Sequence, residues 1–315
     1  MPIATPPYTL PGMRRLSVLA ATLLPLLGCA SVRPFDEIRK TVPEDRFLRI
    51  GDQLVHIEQA GRGEPLILLH GFGASTYSWR KVMPALAESF RVIAIDLSGF
   101  GYTQRPRTFA SYTREGQADL ILKVMDELGI ESAHLMGHSY GGGLTLWIAS
   151  RHPERVRSMV LVNSSAPTYA NDRRSRVASL KPLTAFFVRS LVLRPKSVRS
   201  ALLRSFYDDS LVTPELVREY YDRIRIEGVT DAYHGLTAPA PASTGRVDLA
   251  KIEVPALVVW GAEDKVISVQ LGRAAARTLP RGEFALLEKT GHVPMEERPE
   301  ELLKVVLPFL ERQRS

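Results

Sequence analysis

The sequence predicts a doubly wound, mostly parallel α/β sheet that carries an inserted helical segment. Short apolar runs typical of buried strands alternate along the chain with amphipathic helical patterns. Residues 168–247 break this alternation and show helical spacing alone. A chain of 315 residues, 45% hydrophobic and 24% charged, is long enough for one large domain with an insertion.

Eight segments are predicted strands. Phe47–Ile50 and Gln53–Gln59 flank the turn signal Gly51-Asp52, so we expect an antiparallel hairpin at the edge of the sheet. The other six are mostly apolar runs, as expected of parallel strands buried on both faces. They are Pro65–Leu69, Arg91–Ile95, Ala133–Met136, Ser158–Val162, Ala256–Trp260 and Phe284–Leu287.

Helical patterns separate these strands. Those of the core are Thr113–Leu128, Tyr140–Arg151, Val269–Leu279 and Pro299–Arg312. In residues 168–247, Arg, Lys and apolar side chains are interleaved at helical spacing, which predicts a helical lid between two strands. The hydrolase-like core would then comprise residues 46–167 and 248–315, on either side of the lid.

The N-terminus has the pattern of an export signal. Met13-Arg14-Arg15 precedes the apolar run Leu16–Leu27, which is too short for a comfortable membrane span. The sequence ending at Cys29, the only cysteine, resembles a bacterial lipobox, in which that cysteine is lipidated. We therefore expect a signal peptide over residues 1–28, a lipid anchor on Cys29 and a tether over 29–45. An ordinary cleaved signal or an uncleaved anchor remains possible.

The envelope is the expected location. In the bacterial lipoproteins that this N-terminus resembles, an Asp after the lipidated cysteine signals retention in the inner membrane. This chain has Ala30 at that position, which favours the outer membrane. The net charge of +7 favours anionic surfaces or substrates without identifying either. No metal, nucleotide or nucleic-acid motif is recognisable, so we expect no metal, no cofactor and no nucleic-acid partner.

A candidate nucleophile lies in Gly137-His138-Ser139-Tyr140-Gly141, which contains G-x-S-x-G. The motif follows a predicted strand and precedes a predicted helix, which is the context that a nucleophile elbow requires. A serine hydroxyl needs a base, and His292, on the loop after the last strand, has the expected position. Asp264 follows the strand Ala256–Trp260 and is the expected orienting acid, with Glu263 as its competitor.

Several motifs occur together in the order seen in the α/β-hydrolase superfamily, which the chain resembles from about Phe47 to Leu310. They are His70-Gly-x-Gly73, Asp96–Gly101, Gly137–Gly142, Trp260–Asp264 and Gly291-His292. The resemblance is to the branch with a helical lid after the sixth strand. In this fold the oxyanion is held by one N–H from the loop after the first of these motifs and one from the residue after the nucleophile, which implies Phe72 and Tyr140.

Hydrolysis of carboxylic esters, small or lipidic, is the expected reaction. Related dehalogenases and epoxide hydrolases use Asp at the elbow, whereas this chain has Ser139. Carbon–carbon bond hydrolases usually carry Asn in place of His138, but remain an alternative. A non-catalytic envelope lipoprotein of the same fold is another. The lid would supply an acyl pocket, for which the candidates are Phe186, Phe187, Leu191 and Phe206.

Overall fold

A computed structural model describes residues 32–165, 181–237 and 247–314. Its centre is one eight-stranded sheet of order β1-β2-β4-β3-β5-β6-β7-β8. The strands are β1 (Phe47–Ile50), β2 (Gln53–Ala60), β3 (Pro65–Leu69), β4 (Arg91–Ile95), β5 (Ala133–His138), β6 (Val156–Val162), β7 (Ala256–Gly261) and β8 (Gly282–Leu287). β2 pairs antiparallel with β1 and β4, and every other pairing is parallel. The predicted fold class and edge hairpin are confirmed.

Helices cover both faces of the sheet. Those of the core are α2 (Met83–Ala87), α3 (Arg114–Glu127), α4 (Tyr140–Arg151), α9 (Val269–Thr278), α10 (Pro294–Glu297) and α11 (Pro299–Arg312). α3 and α11 bury apolar stripes in separate clusters, with Ile121 and Val124 in one and Val306 and Leu310 in the other. Alternating residues of the parallel strands enter the two clusters, so the sheet holds its carboxyl edge rigidly between two layers.

The lid is inserted between β6 and β7. Its described part contains four α-helices, α5 (Lys181–Phe187), α6 (Pro195–Ser205), α7 (Pro214–Ile224) and α8 (Val229–Thr237), with a π-helical turn over Val188–Val192. Buried residues of α6 and α7, such as Leu202 and Leu216, pack into the core cluster that contains β3 and α11. Residues 166–180 and 238–246, most of which belong to the predicted lid segment 168–247, lie outside the described residues.

Part of the predicted tether over residues 29–45 packs against the lid. Residues Phe35–Arg39 form a short helix, α1, and Phe35 and Ile38 are buried together with Ile226 of the lid. Arg33 forms a parallel bridge to Ile226. Five helical residues are too few to produce a visible periodicity, so this docking could not be detected in the sequence.

The predicted signal peptide (1–28) and Cys29 lie outside the described residues. Within the ranges that the structure describes, no helix has the length and apolar character needed to span a bilayer.

Candidate active site

Ser139 occupies a sharp turn between β5 and α4. Its φ of 48° and ψ of −112° put a non-glycine residue in a region that costs about 1–3 kcal/mol. The turn is held on both sides, because the Ser139 N–H donates to the Val162 carbonyl at 3.0 Å and the Ser139 carbonyl accepts from the Ser165 N–H at 2.9 Å. The strained serine is therefore fixed at the carboxyl end of β5, as the elbow motif predicts.

Two glycines make this turn possible. A Cβ on Gly141 would lie 2.2 Å from the Leu69 carbonyl oxygen, and one on Gly137 would lie 2.5 Å from the Gly141 carbonyl oxygen. Real side chains essentially never approach so closely, so larger residues at either position would force the backbone apart. The G-x-S-x-G spacing thus has a direct steric cause in this chain.

The structure brings Asp264 and His292 together. The His292 Nδ1 lies 2.8 Å from the Asp264 Oδ2. A carboxylate only accepts, so Nδ1 carries the proton and Nε2 is left with a lone pair. Glu263, the competing acid, instead accepts from the Thr290 N–H at 2.8 Å.

Asp264 is held as an anion. Burial raises its pKa, but hydrogen bonds from His292, Asn163 and the Ile267 amide outweigh this and leave the pKa below its usual value. Its second oxygen, Oδ1, accepts from the N–H groups of Val266 and Ile267 at 2.7 and 3.0 Å. The carboxylate can therefore orient the imidazole without taking up its proton.

Asn163 is a site residue that the sequence analysis missed. It follows β6, has a φ of 44°, and its Nδ2 donates to Asp264 Oδ2 at 2.7 Å. The same Nδ2 reaches the Gly291 carbonyl at 3.3 Å, and Oδ1 accepts from the Gly261 N–H at 3.3 Å. One amide thus joins the acid to the histidine loop. Its position just past a parallel strand is the signal that could have found it.

His138 lies directly beside His292, with ring centroids 4.9 Å apart. Its Nε2 donates to the His292 carbonyl oxygen at 2.8 Å. Burial, and after it the neighbouring His292, lowers the pKa of His138 to about 3. His138 therefore stays neutral, supports the histidine loop as a hydrogen-bond donor and places no positive charge beside His292.

Glu297 joins the histidine loop to the lid. Its buried carboxylate accepts from the Gly291 N–H at 2.7 Å through Oε2. Through Oε1 it accepts from the N–H groups of Tyr207 and Asp208 at 2.6 and 2.7 Å. The His292 N–H adds a direct bond to the Ser205 carbonyl at 2.6 Å. The end of α6 and the loop that carries His292 are therefore one hydrogen-bonded unit.

The two predicted oxyanion donors lie at the start of α4 and on the loop after β3. Tyr140 begins α4, where the helix dipole is positive. Phe72 lies on the loop after β3, lines the same cavity as Ser139, and has its ring 6.3 Å from that of Tyr140. Their backbone N–H groups are thus carried by the two segments that flank the nucleophile.

A cavity of about 390 Å³ contains Ser139 and His292 in its wall, a size typical of small-molecule sites. Of the four residues predicted to form an acyl pocket, Phe187 and Leu191 line it. Phe186 does not, and is 64% exposed. Phe206 is buried in the core cluster instead. Helical spacing alone could not tell which side of the lid each residue faces.

No group of three or more potential metal ligands occurs within residues 32–165, 181–237 and 247–314. The arrangement that the structure does show is a strained serine, a carboxylate-held histidine and an apolar cavity at one edge of a sheet. This arrangement is suited to nucleophilic catalysis by a serine.

The fold is that of an α/β hydrolase. A model of the alpha/beta hydrolase fold matches residues 64–299, and the chain belongs to this family.

Its relatives catalyse more than one reaction. The 2-hydroxymuconate semialdehyde hydrolase of Pseudomonas sp. (strain CF600) is 33% identical over 81% of this chain and 89% of its own. Lipase 1 of Psychrobacter immobilis is 24% identical over 96% of this chain and 99% of its own. The crystal structure of a membrane phospholipase A covers 89% of this chain and 91% of that chain, with 26% identity and a TM-score of 0.67.

Proposed function

We propose that this hydrolase cleaves neutral carboxylic esters with an apolar acyl group, using Ser139, His292 and Asp264. The observation that carries the proposal is the charge of the cavity. Among the described residues that line it, none is Asp, Glu, Lys or Arg, and most are apolar. His138, which also lines the cavity, is held neutral by its depressed pKa of about 3.

In the proposed mechanism, the Ser139 Oγ attacks the ester carbonyl carbon while His292 Nε2 takes the hydroxyl proton. The N–H groups of Phe72 and Tyr140 stabilise the oxyanion, and each such donor is worth about 3 kcal/mol of barrier. The intermediate collapses, and His292 returns the proton to the departing alcohol. Water then attacks the acyl-enzyme by the same sequence and releases the acid.

Carbon–carbon bond hydrolysis is the second candidate, because the 33% identical relative acts on 2-hydroxymuconate semialdehyde. A muconate semialdehyde carries a carboxylate, and burying that charge without a cation costs several kcal/mol. The uncharged cavity wall therefore favours an ester over this class of substrate.

Two assays test the proposal. The full chain is expected to hydrolyse a p-nitrophenyl ester series and to leave a vinylogous diketone carboxylate intact. A fluorophosphonate probe should label Ser139, and Ser139→Ala should abolish labelling and lower kcat at least about 10³-fold. Ser197→Ala removes another cavity-lining serine and should stay labelled. Cleavage of the diketone alone would select the second candidate, and an unlabelled wild type would refute a catalytic serine.

We also propose that the chain is exported and carries a lipid on Cys29, which would hold it at the outer membrane. Supporting this is the lipobox-like sequence that ends at the only cysteine. Metabolic labelling with palmitate should mark the wild type and not Cys29→Ala. Equal labelling of both would refute the anchor.

A further inference from the structure

The mouth of the cavity is apolar and open. Three residues line the cavity and are also strongly exposed: Phe72 at 45%, Phe187 at 52% and Leu191 at 52%. They therefore mark where the cavity meets the surface. Phe186, adjacent in the chain, is 64% exposed. Soluble monomers rarely expose several large apolar side chains together, so this rim is the mark of a contact surface.

The chain around this rim is strongly basic. From Lys181 to Phe206 the sequence contains no Asp or Glu. The six cations of this stretch are Lys181, Arg189, Arg194, Lys196, Arg199 and Arg204. Arg189, Lys196 and Arg199 are exposed. Aromatic and aliphatic side chains that alternate with cations along an acid-free stretch are the combination that binds the headgroup region of an anionic bilayer.

The N-terminal segment binds to the lid through Arg33, beside a residue that lines the same cavity. The Arg33 N–H donates to the Arg225 carbonyl at 2.7 Å, and the Glu227 N–H donates to the Arg33 carbonyl at 2.9 Å. Arg225 directly follows α7, whose last residue, Ile224, lines the cavity together with Leu191. The docked segment thus ends at the lid, next to a residue that adjoins the cavity wall.

Cys29 lies only four residues before Arg33. Four extended residues span at most about 14 Å, whereas a domain of this size is roughly 50 Å across. A lipid on Cys29 would therefore keep the lid side close to the bilayer and hold the opposite edge of the sheet away from it.

We propose that the lid face, defined as Phe186, Phe187 and Leu191 with the neighbouring Arg189, Lys196 and Arg199, docks on an anionic lipid bilayer. The cavity mouth then opens onto the membrane, and the ester substrate enters from the lipid phase. This inference rests on the proposed esterase function and adds the source of its substrate.

A thiol-attached, polarity-sensitive dye tests the contact. It is placed on the full chain at Phe186→Cys in the lid face and at Lys251→Cys, which precedes the amino end of β7 at the opposite edge of the sheet. Any dye on Cys29 is a background common to both variants. With phosphatidylglycerol vesicles, the dye at residue 186 should shift to the blue and be quenched by brominated lipid. The dye at residue 251 should do neither, and phosphatidylcholine vesicles should give a weaker response at residue 186.

Charge reversal tests the consequence for activity. Arg189→Glu with Lys196→Glu should lower hydrolysis of a long-chain ester held in phosphatidylglycerol vesicles by about tenfold or more. Hydrolysis of soluble p-nitrophenyl butyrate should be unchanged, because neither residue lines the cavity. The matched control, Lys251→Glu with Arg281→Glu, reverses two exposed cations at the opposite edge and should leave both rates unchanged.

The outcomes separate the two proposals. If the wild type hydrolysed neither the soluble ester nor the ester held in vesicles, the esterase function would be refuted. Normal soluble-ester activity with no response at residue 186, or an equal response at residues 186 and 251, would overturn the docking alone. Equal activity of both double variants on vesicles would overturn the role of the lid cations.

Discussion

Two buried pairs of aspartate and histidine have the same geometry and different surroundings. In each, a histidine Nδ1 lies 2.8 Å from an aspartate Oδ2: His292 with Asp264, and His56 with Asp96. Asp96 directly follows β4, and His56 lies in β2 of the edge hairpin. Both are far along the chain from the Ser139 turn. A contact of aspartate with histidine therefore does not by itself identify an active site.

The other ring nitrogen distinguishes the pairs. His56 is 1% exposed and its Nε2 lies 3.5 Å from the Glu58 carboxylate. Burial lowers the pKa of His56, but Asp96 and Glu58 outweigh it and raise the pKa to about 9. His56 is consequently a fixed cation between carboxylates at neutral pH, and it cannot act as a base.

His292 instead reaches the cavity that Ser139 lines. Its partner, the Asp264 carboxylate, accepts hydrogen bonds from Asn163 and two backbone amides. The neutral ring of His138 lies beside the ring of His292. Asp96 bonds the Thr76 and Tyr102 N–H groups in addition to His56, so it holds the loop and turn around it together. One pair thus supports the nitrogen that we propose as the base, while the other joins the loop and the turn around Asp96.

Replacing each aspartate by asparagine should separate the pairs most strongly. Asp264→Asn keeps the shape of the side chain but allows the wrong imidazole tautomer, so kcat for the ester should fall about 10³–10⁴-fold. The free energy of unfolding, measured with urea, should change by no more than about 2 kcal/mol.

Asp96→Asn is the matched control. It replaces the nearer of the two carboxylates at the buried His56 cation by a neutral amide, which should cost about 3–5 kcal/mol of unfolding free energy. The kcat of the protein that remains folded should change only a few-fold. If Asp96→Asn abolished turnover without loss of stability, or if Asp264→Asn retained full activity, the division of roles drawn here would be wrong.

The strands and the serine turn could be predicted from the sequence, because both depend on residues close together in the chain. Every strand was predicted to within two residues, because buried parallel strands are short apolar runs. Ser139 was predicted because the G-x-S-x-G pattern is local in the sequence and lies between a predicted strand and a predicted helix. Order along the fold then selected His292 and Asp264.

The position of Asn163 just past β6 marks it as a candidate, but the contacts that support the site could not be predicted, since each joins residues far apart in the chain. Asn163 meets Asp264 across 101 positions, and His138 meets His292 across 154. Phe206, a predicted pocket residue, packs in the core cluster instead. Helical spacing indicates which residues share a face of a helix, but it does not indicate what packs against that face. The docking of Arg33 on the lid depends on a partner almost two hundred residues later.

A pH series should sharpen the comparison further. The pKa of His56 is raised from 6.5 to about 9 on folding, so its stabilisation is complete below about pH 6.5 and is lost as the pH rises through 9. The wild type should lose up to about 3 kcal/mol of unfolding free energy between pH 6.5 and 9.5. In His56→Gln this loss should be largely absent, as read from urea unfolding at each pH. Parallel curves for the two proteins would contradict a buried cation at residue 56.

The smallest expected effect concerns what holds the His292 loop. Glu297→Gln leaves one amide oxygen to replace two carboxylate oxygens, and its NH₂ group must face an N–H donor. Each charge-assisted hydrogen bond contributes about 1.5–3 kcal/mol. Because the Gly291 N–H is one of the donors, weakening these bonds should also shift His292 from its position. We expect kcat for a soluble ester to fall about tenfold with little change in KM.

Glu300→Gln changes an exposed carboxylate on the adjoining helix and serves as the control, with kcat unchanged. Fluorophosphonate labelling of Ser139 should slow in parallel with kcat in Glu297→Gln, because both steps need the same aligned base. A lower melting temperature with normal labelling would instead assign Glu297 to stability alone. The alignment of His292 would then depend on Asp264, on His138 and on the bond from its own N–H to the Ser205 carbonyl.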